Sequence, residues 1–448
     1  MLTIPQALDR LDTALSAARA AGADAADGLY AADASTSISV RLGALEDASR
    51  SEGEELGLRV FVGRRSASVT TSDLSPDALR EAAARAVAMA RLAPEDPWAG
   101  LAHEAALLRD TPADLDLDDP TELAAERLKA LALEAEDAAR AVPGVTNSEG
   151  AGVAQGRSLI ALATSTGFAQ GRAGSSFSLS ASVIAGEGAA MQRDYAWASA
   201  RHFADLEDAG AIGARAGTRA TRRLNPIKLE TAQLPIVFDP RVSASLLGHL
   251  VSAITGSSIT RGTSFLKDKL GQRLFAQGIT VIDDPLRVRG LKSRSFDGEG
   301  LPTKPMALIE DGILTSWLLD AASARQLGLA PTGHASRSTS GPPSASTSNL
   351  HMAPGTLSRA ELIADIKRGV LVTELIGMGV NGLTGDYSRG ASGFLIENGE
   401  IAVPVAEITI AGNLLEMFAA LTPANDLRFR HATNAPSLRV EGMTIAGA

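Results

Sequence analysis

His249 is where metal chemistry would have to start in this chain. It lies in the apolar run Leu246-Leu247-Gly248-His249-Leu250-Val251-Ser252-Ala253, which the pattern places on a helix. A helical zinc hydrolase site needs two histidines about a turn apart and a glutamate as base, because a tetrahedral ion is gripped by neighbouring side chains. No second histidine and no glutamate stand within a turn of His249, so the residues alone read as a hydrogen-bonded helix histidine. His103, His202, His334, His351 and His431 are scattered, with no acid or histidine at a specific metal-ligand spacing. Gly390-Ala391-Ser392-Gly393 is half of a nucleophile elbow, and no phosphate-binding Gly-x-x-x-x-Gly-Lys-Ser run exists. Asp114, Asp116, Asp118 and Asp119 alternate as in a calcium loop but lack its central glycine and final glutamate, and so read as a solvated linker. Asp283-Asp284 and Glu46-Asp47 read as solvated turn charges.

The most unusual stretch is Asn381–Asn413, with glycines at 382, 385, 390, 393, 399 and 412 between strand-like segments. Glu397-Asn398-Gly399-Glu400 is a hairpin signal between Gly393–Ile396 and Ile401–Val405. Gly385 to Gly390 reads as a polar loop holding Asp386, Tyr387, Ser388 and Arg389. Two readings stay open: a tight β-corner that needs glycine, or a loop at a peptide cleft or subunit interface. On the second reading these four residues are peptide- or partner-binding candidates, Tyr387 and Arg389 being types that often supply interface energy.

Several elements must position these groups. Thr3, Pro5 and Gln6 form a capping-box start for a helix whose apolar face is marked by Leu8, Leu11 and Leu15. Period-two strands follow between Gly28 and Ser72, and a helix from Ser75 to about Arg91. A Pro- and Asp-rich connector leads to a helix over Thr121–Ala141. Strands are expected at Ser158–Thr164, Ser175–Ile184 and Gly188–Ala198, then a helix near Leu206–Arg223. The last part is richest in strand signals, and its Ser/Thr/Gly/Pro segment Thr332–Ser348 reads as a mobile loop over a surface or cleft. The fold class is therefore α+β: N-terminal and central modules of strands bracketed by helices, then a large strand-rich C-terminal domain. The expected boundaries are 1–110, 111–226 and 227–448.

Composition narrows the function. Hydrophobic residues at 45% and charged residues at 21% suit a globular chain with a sizeable core. A net charge of -10 gives no global positive field to hold a phosphate backbone, so direct nucleic-acid binding is disfavoured. With no cysteine, disulfides, thiol nucleophiles and thiolate-bound zinc are excluded. No run is long and apolar enough to span a membrane, and Asp9, Arg10 and Asp12 follow the first residues at once. A cytoplasmic location is expected.

The C-terminal motifs resemble the PmbA/TldE branch of the TldD/PmbA family, proteins linked to proteolysis. The resemblance rests on Asn381-Gly-Leu-Thr-Gly-Asp-Tyr-Ser-Arg-Gly-Ala-Ser-Gly-Phe394 and Glu407-Ile-Thr-Ile-Ala-Gly-Asn413. Phe296-Asp-Gly-Glu-Gly300, Gly312–Leu319, Ser323–Leu329 and Gly333-His334 add to it. In that family the TldD-like subunit looks like the zinc protease, with a His-Glu-x-x-x-His helix and a cysteine near its C-terminus. Gly248, His249 and Ala253 would stand at the first His, the Glu and the second His, and no cysteine lies near His431 to Pro436. The resemblance thus implies a TldE-like subunit without catalytic or metal residues of its own, paired with a TldD-like protease subunit that carries the zinc. Extended or unfolded peptides are the implied substrates, such as peptide precursors and labile antitoxins; a homodimer is the alternative assembly of the isolated chain. Older descriptions of the family call it a gyrase modulator, which the acidic charge makes indirect. The rival reading is a stand-alone peptide-binding or regulatory protein without protease activity.

Overall fold

The computed structural model describes residues 1–447. Helix α1 (Ile4–Ala20) starts with a capping box: Thr3 Oγ1 accepts from the Gln6 amide at 3.4 Å and Gln6 Oε1 accepts from the Thr3 amide at 2.9 Å. Its buried line is Ala7, Leu11, Ala14 and Ala18, with Leu8 and Leu15 only partly covered. Alanine at three of those four positions lets the helix lie close to the strands beneath it.

Strands β1 (Ala25–Arg41), β2 (Ala44–Val62) and β3 (Arg65–Thr71) and helix α2 (Pro76–Leu92) follow, then α3 (Ala125–Arg140), β4 (Val145–Thr164), β5 (Ala169–Ala185), β6 (Gln192–Ala200) and α4 (Ala209–Arg222). All six strands belong to one antiparallel sheet, in the order β3-β2-β1-β4-β5-β6. The β1–β4 pairing, from Asp27 opposite Thr164 to Val40 opposite Ala151, fuses the two strand sets. The strands run well beyond their hydrophobic cores. The first ten residues of β2 are exposed and stay extended because β1 satisfies their backbone. The segment expected as a strand from Gly188 begins instead with a 3₁₀ turn, Gly188–Ala190.

Small residues set the helix packing. A Cβ at Gly213 of α4 would lie 1.9 Å from the carbonyl oxygen of Ala135 in α3, so only glycine permits that crossing. On the sheet, Tyr30 packs toward α1 and α2, whereas its neighbour Leu29 points to the opposite face. There Leu29, Leu162 and Phe168 meet Phe296, Leu301 and Ala321 of the C-terminal half.

That half contains β7 (Ala232–Phe238) and helix α5 (Pro240–Ile254). β7 lies parallel to the strand Arg368–Ile376 and antiparallel to Leu438–Ala446. Strands Asp386–Glu397 and Glu400–Asn413 extend the sheet, and pairing of Thr409–Ala411 with Thr444–Ala446 closes it on itself. The fold is α+β with a strand-rich C-terminal part. Among the described residues no helix is long and apolar enough to cross a membrane.

Thr332–Ser348 departs from the expected mobile loop. Ala335–Ser336 pairs with Ser344–Ala345, and the buried Arg337 side chain reaches Asp27 Oδ1 of β1 at 2.7 Å. Thr339 donates its hydroxyl to Glu55 of β2. Its polar composition suggested solvent, but Arg337 and Thr339 meet carboxylates of the sheet. The close seat depends on Gly57, where a Cβ would come within 2.0 Å of the Thr339 carbonyl oxygen. Gly57→Ala is therefore expected to destabilise the protein by about 1–3 kcal/mol in denaturant titration. Gly53→Ala, whose nearest neighbour would be 3.8 Å away, should change stability by under about 0.5 kcal/mol.

Candidate functional site

Helix α5 begins at Asp239, whose side chain caps it by accepting from the Arg241 amide at 3.1 Å, and Pro240 occupies its first turn. Leu246, Leu247, Leu250, Ala253 and Ile254 are its buried residues. The three positions singled out on this helix have different fates. Gly248 is exposed with nothing within 4 Å of where a Cβ would stand, Ala253 is buried, and His249 is half-buried.

His249 sets its imidazole at a steep angle to the Tyr387 ring, centroids 5.8 Å apart and planes at 77°. Arg389, two residues along the same strand as Tyr387, joins them on that side of the strand. His249 Nε2, the Tyr387 hydroxyl and Arg389 Nε are all buried without a hydrogen-bond partner. The expected hydrogen bond at His249 is thus missing at Nε2. Burial, reinforced by the Arg389 charge, lowers the His249 pKa below 6.5, so the imidazole is neutral at pH 7. Burial pushes the Tyr387 phenol up to about 12, so it stays protonated.

The loop expected at Gly385–Gly390 is the start of the strand Asp386–Glu397. Its alternation exposes Asp386 and Ser388 and buries Tyr387, which is 1% exposed. Tyr387 therefore lies in the core of this chain. Asp386 accepts from Thr384 Oγ1 at 2.6 Å and from Asn413 Nδ2 at 3.2 Å, so it ties the turn before the strand to the end of its neighbour. Beside this strand, Val380 bridges to Tyr387, and the segment carrying it exposes Ile376, Met378 and Leu383 at 60%, 80% and 61%. These three form an apolar fringe next to the α5 cluster.

The cluster does not fit a zinc ion. Gly248, His249 and Ala253 offer one imidazole between them, whereas a catalytic zinc takes three protein ligands. Among the described residues no group of three or more His, Cys, Asp or Glu side chains is placed to hold a metal ion. His431 lies against Trp197, ring centroids 4.2 Å apart, and His334 lies 3.3 Å from Asp283. Sequence reasoning named His249, Tyr387 and Arg389 but could not bring them together; no short-range pattern links a helix position to a strand so far along the chain.

The chain is thus a six-stranded sheet backed by helices, followed by a closed strand-rich domain. Residues 26–90, 118–224 and 231–447 match the models described as PmbA/TldA metallopeptidase domain 1, central domain and C-terminal domain. Metalloprotease PmbA of Escherichia coli O157:H7 is 39% identical over 442 residues, 98% of this chain and 96% of that one. A Metalloprotease PmbA homolog of Haemophilus influenzae is 36% identical over 92% of this chain and 90% of its own length. The chain belongs to the PmbA/TldE family. A crystal structure from Bacteroides thetaiotaomicron, of a protein named for a suspected modulation of DNA gyrase, superimposes with a TM-score of 0.92 at 29% identity, covering 100% of both chains. TldE from Thermococcus kodakarensis shares the fold, with a TM-score of 0.87 at 22% identity over 98% of this chain and 100% of that one.

Two outcomes are expected from the cluster. Tyr387→Ala should lose about 3–5 kcal/mol of stability, whereas Tyr387→Phe, which removes only an unpartnered hydroxyl, should stay within about 1 kcal/mol of the parent. The fold lowers the His249 pKa, so the unfolded chain takes up that proton first as pH falls. Stability should therefore drop on acidification below about 6.5, and His249→Gln should make that drop shallower in melts between pH 7.5 and 5.

Proposed function

We propose that this chain is the TldE/PmbA-like subunit of a heterodimeric zinc metalloprotease acting on unfolded or extended peptides, with a TldD-like partner holding the metal. The observation that carries this reading is α5 itself. At the positions of the family's zinc motif it bears Gly248, His249 and Ala253, and its single imidazole is already turned onto Tyr387. A chain with that helix cannot polarise a scissile carbonyl through its own metal. It can position a peptide and exclude water from a shared chamber, and positioning is worth several kcal/mol of barrier.

The apolar fringe of Ile376, Met378 and Leu383 supports a partner surface beside the helix, since exposed apolar groups of this kind mark association sites. Peptide recognition would run through main-chain pairing at strand edges, which is weakly dependent on sequence. Such a complex would work in the cytoplasm. Its substrates would be peptide precursors awaiting maturation or labile antitoxins.

The test is cleavage of an unfolded peptide by this chain, by a TldD-like chain and by their mixture. The mixture should cleave and this chain alone should not, whether monomer or homodimer. Chelator should abolish the activity of the mixture, and replacing the partner's motif glutamate should do the same. His249→Ala in this chain should leave it intact. Chelator-sensitive cleavage by this chain alone, with contaminating partner excluded by mass spectrometry, would overturn the assignment.

A further inference from the structure

A cavity apart from α5 lies where β4 and β5 face the loops of the C-terminal half. It has a volume of about 250 Å³, and its charged lining is Arg172, Arg201, Lys292 and Arg294. Serine and threonine residues, among them Ser158, Ser336 and Ser346, share the rest of the wall with apolar ones such as Leu117, Ile160 and Leu291, and it includes no carboxylate.

The three arginines are held by backbone rather than by acids. Arg201 donates to the Ser175 carbonyl at 2.9 Å and also to Leu291; Arg294 donates to the Ser346 carbonyl at 2.7 Å; Arg172 reaches the Phe296 carbonyl at 3.5 Å. The Nε–H groups of Arg201 and Arg294 are buried and have no partner. Nearby carboxylates are occupied elsewhere. Asp116 is engaged by Arg289 at 2.6 Å, Asp118 by Arg157, and Asp283 by Ser348 at 2.8 Å. Asp297 accepts three backbone amides, and of the three arginines only Arg294 feels its charge and that of Asp283, which burial of Arg294 outweighs. Burial, and then the charges of Arg294 and Arg201, push Arg172 down to about 10. Like charges gathered without counter-ions are unfavourable, and guanidinium forks match planar and tetrahedral oxyanions.

We propose that this cavity binds a small, multiply charged oxyanion of the phosphate class, either free or as a phosphomonoester. Two negative charges neutralise the cluster better than one; the Ser158 and Ser346 hydroxyls, which donate to the carbonyls of Gly174 and Thr347, would turn toward the anion. Exposed Lys292 at the rim leaves a route from solvent. The site is independent of the protease reading and of the α5 cluster.

The experiment is calorimetric titration of the full chain with inorganic phosphate and, in a separate arm, with phosphoserine, at ionic strength fixed with sodium chloride. Saturable binding of one anion per chain is expected in at least one arm, and the arm that binds more tightly tells free phosphate from an ester. Arg172→Met should weaken it by at least about tenfold, while Arg64→Met, an exposed arginine elsewhere, should not. Should Arg172→Met fail to fold, melts of the unmodified protein decide: phosphate must raise Tm above an equal ionic strength of chloride. No saturable binding, an equal effect of chloride, or full affinity in folded Arg172→Met would each overturn the site.

Discussion

A carboxylate sealed from water between two guanidiniums is the constraint on which the joining of the two halves depends. Asp27 of β1 accepts from Arg59 Nε at 3.1 Å and meets Arg337 at 2.7 Å, and the three side chains are 2%, 8% and 1% exposed. Burial alone would raise its pKa; the charges of Arg337 and Arg59 outweigh that and hold it below the ordinary carboxylate range. A buried charge that lost one partner would cost about 3–5 kcal/mol, so the segment bearing Arg337 has little choice but to lie on the sheet. The same joint contains Glu299, which burial and the neighbouring Asp297 push up to about 8, so that it is largely protonated at neutral pH. It accepts from the Ala321 amide at 2.7 Å and thereby fixes the start of the short helix Ala321–Leu327.

A second buried carboxylate does similar work on β6, an edge strand of the sheet. Asp194 of β6 accepts from Arg241 at 2.8 Å, and Arg223 after α4 reaches the same group at 3.4 Å. Arg241 stands in the first turn of α5, so the helix carrying His249 is tethered to the N-terminal sheet by its own beginning. Close helix and loop contacts then follow from small residues, which is why aromatics at 4% suffice for this core. What the arrangement holds in place is a helix with a single neutral imidazole, beside an exposed apolar fringe.

Local features were legible in the sequence because their causes are local. The Thr3–Gln6 capping box is one. The Asn398-Gly399 turn is another: φ is 51° and 80° at its two central residues, as a two-residue hairpin requires, and Glu397 pairs with Glu400. The alternation that buries Tyr387 was hidden, because glycines and charges around it imitate a loop. The docking of Thr332–Ser348 was hidden too, since Arg337 and Thr339 find their partners in β1 and β2, at the far end of the chain. Clustering of Arg172, Arg201 and Arg294 likewise depends on tertiary packing alone. The α5 positions were readable only through family resemblance, and the structure adds what surrounds them.

The central claim, a subunit that completes a metalloprotease without carrying its metal, is most directly tested by native mass spectrometry of this chain co-purified with a TldD-like chain, followed by metal analysis of the separated subunits. The expected result is a complex containing both chains, with zinc retained by the TldD-like subunit and absent from this one. Zinc that stays with this chain, or two chains that never assemble, would contradict it.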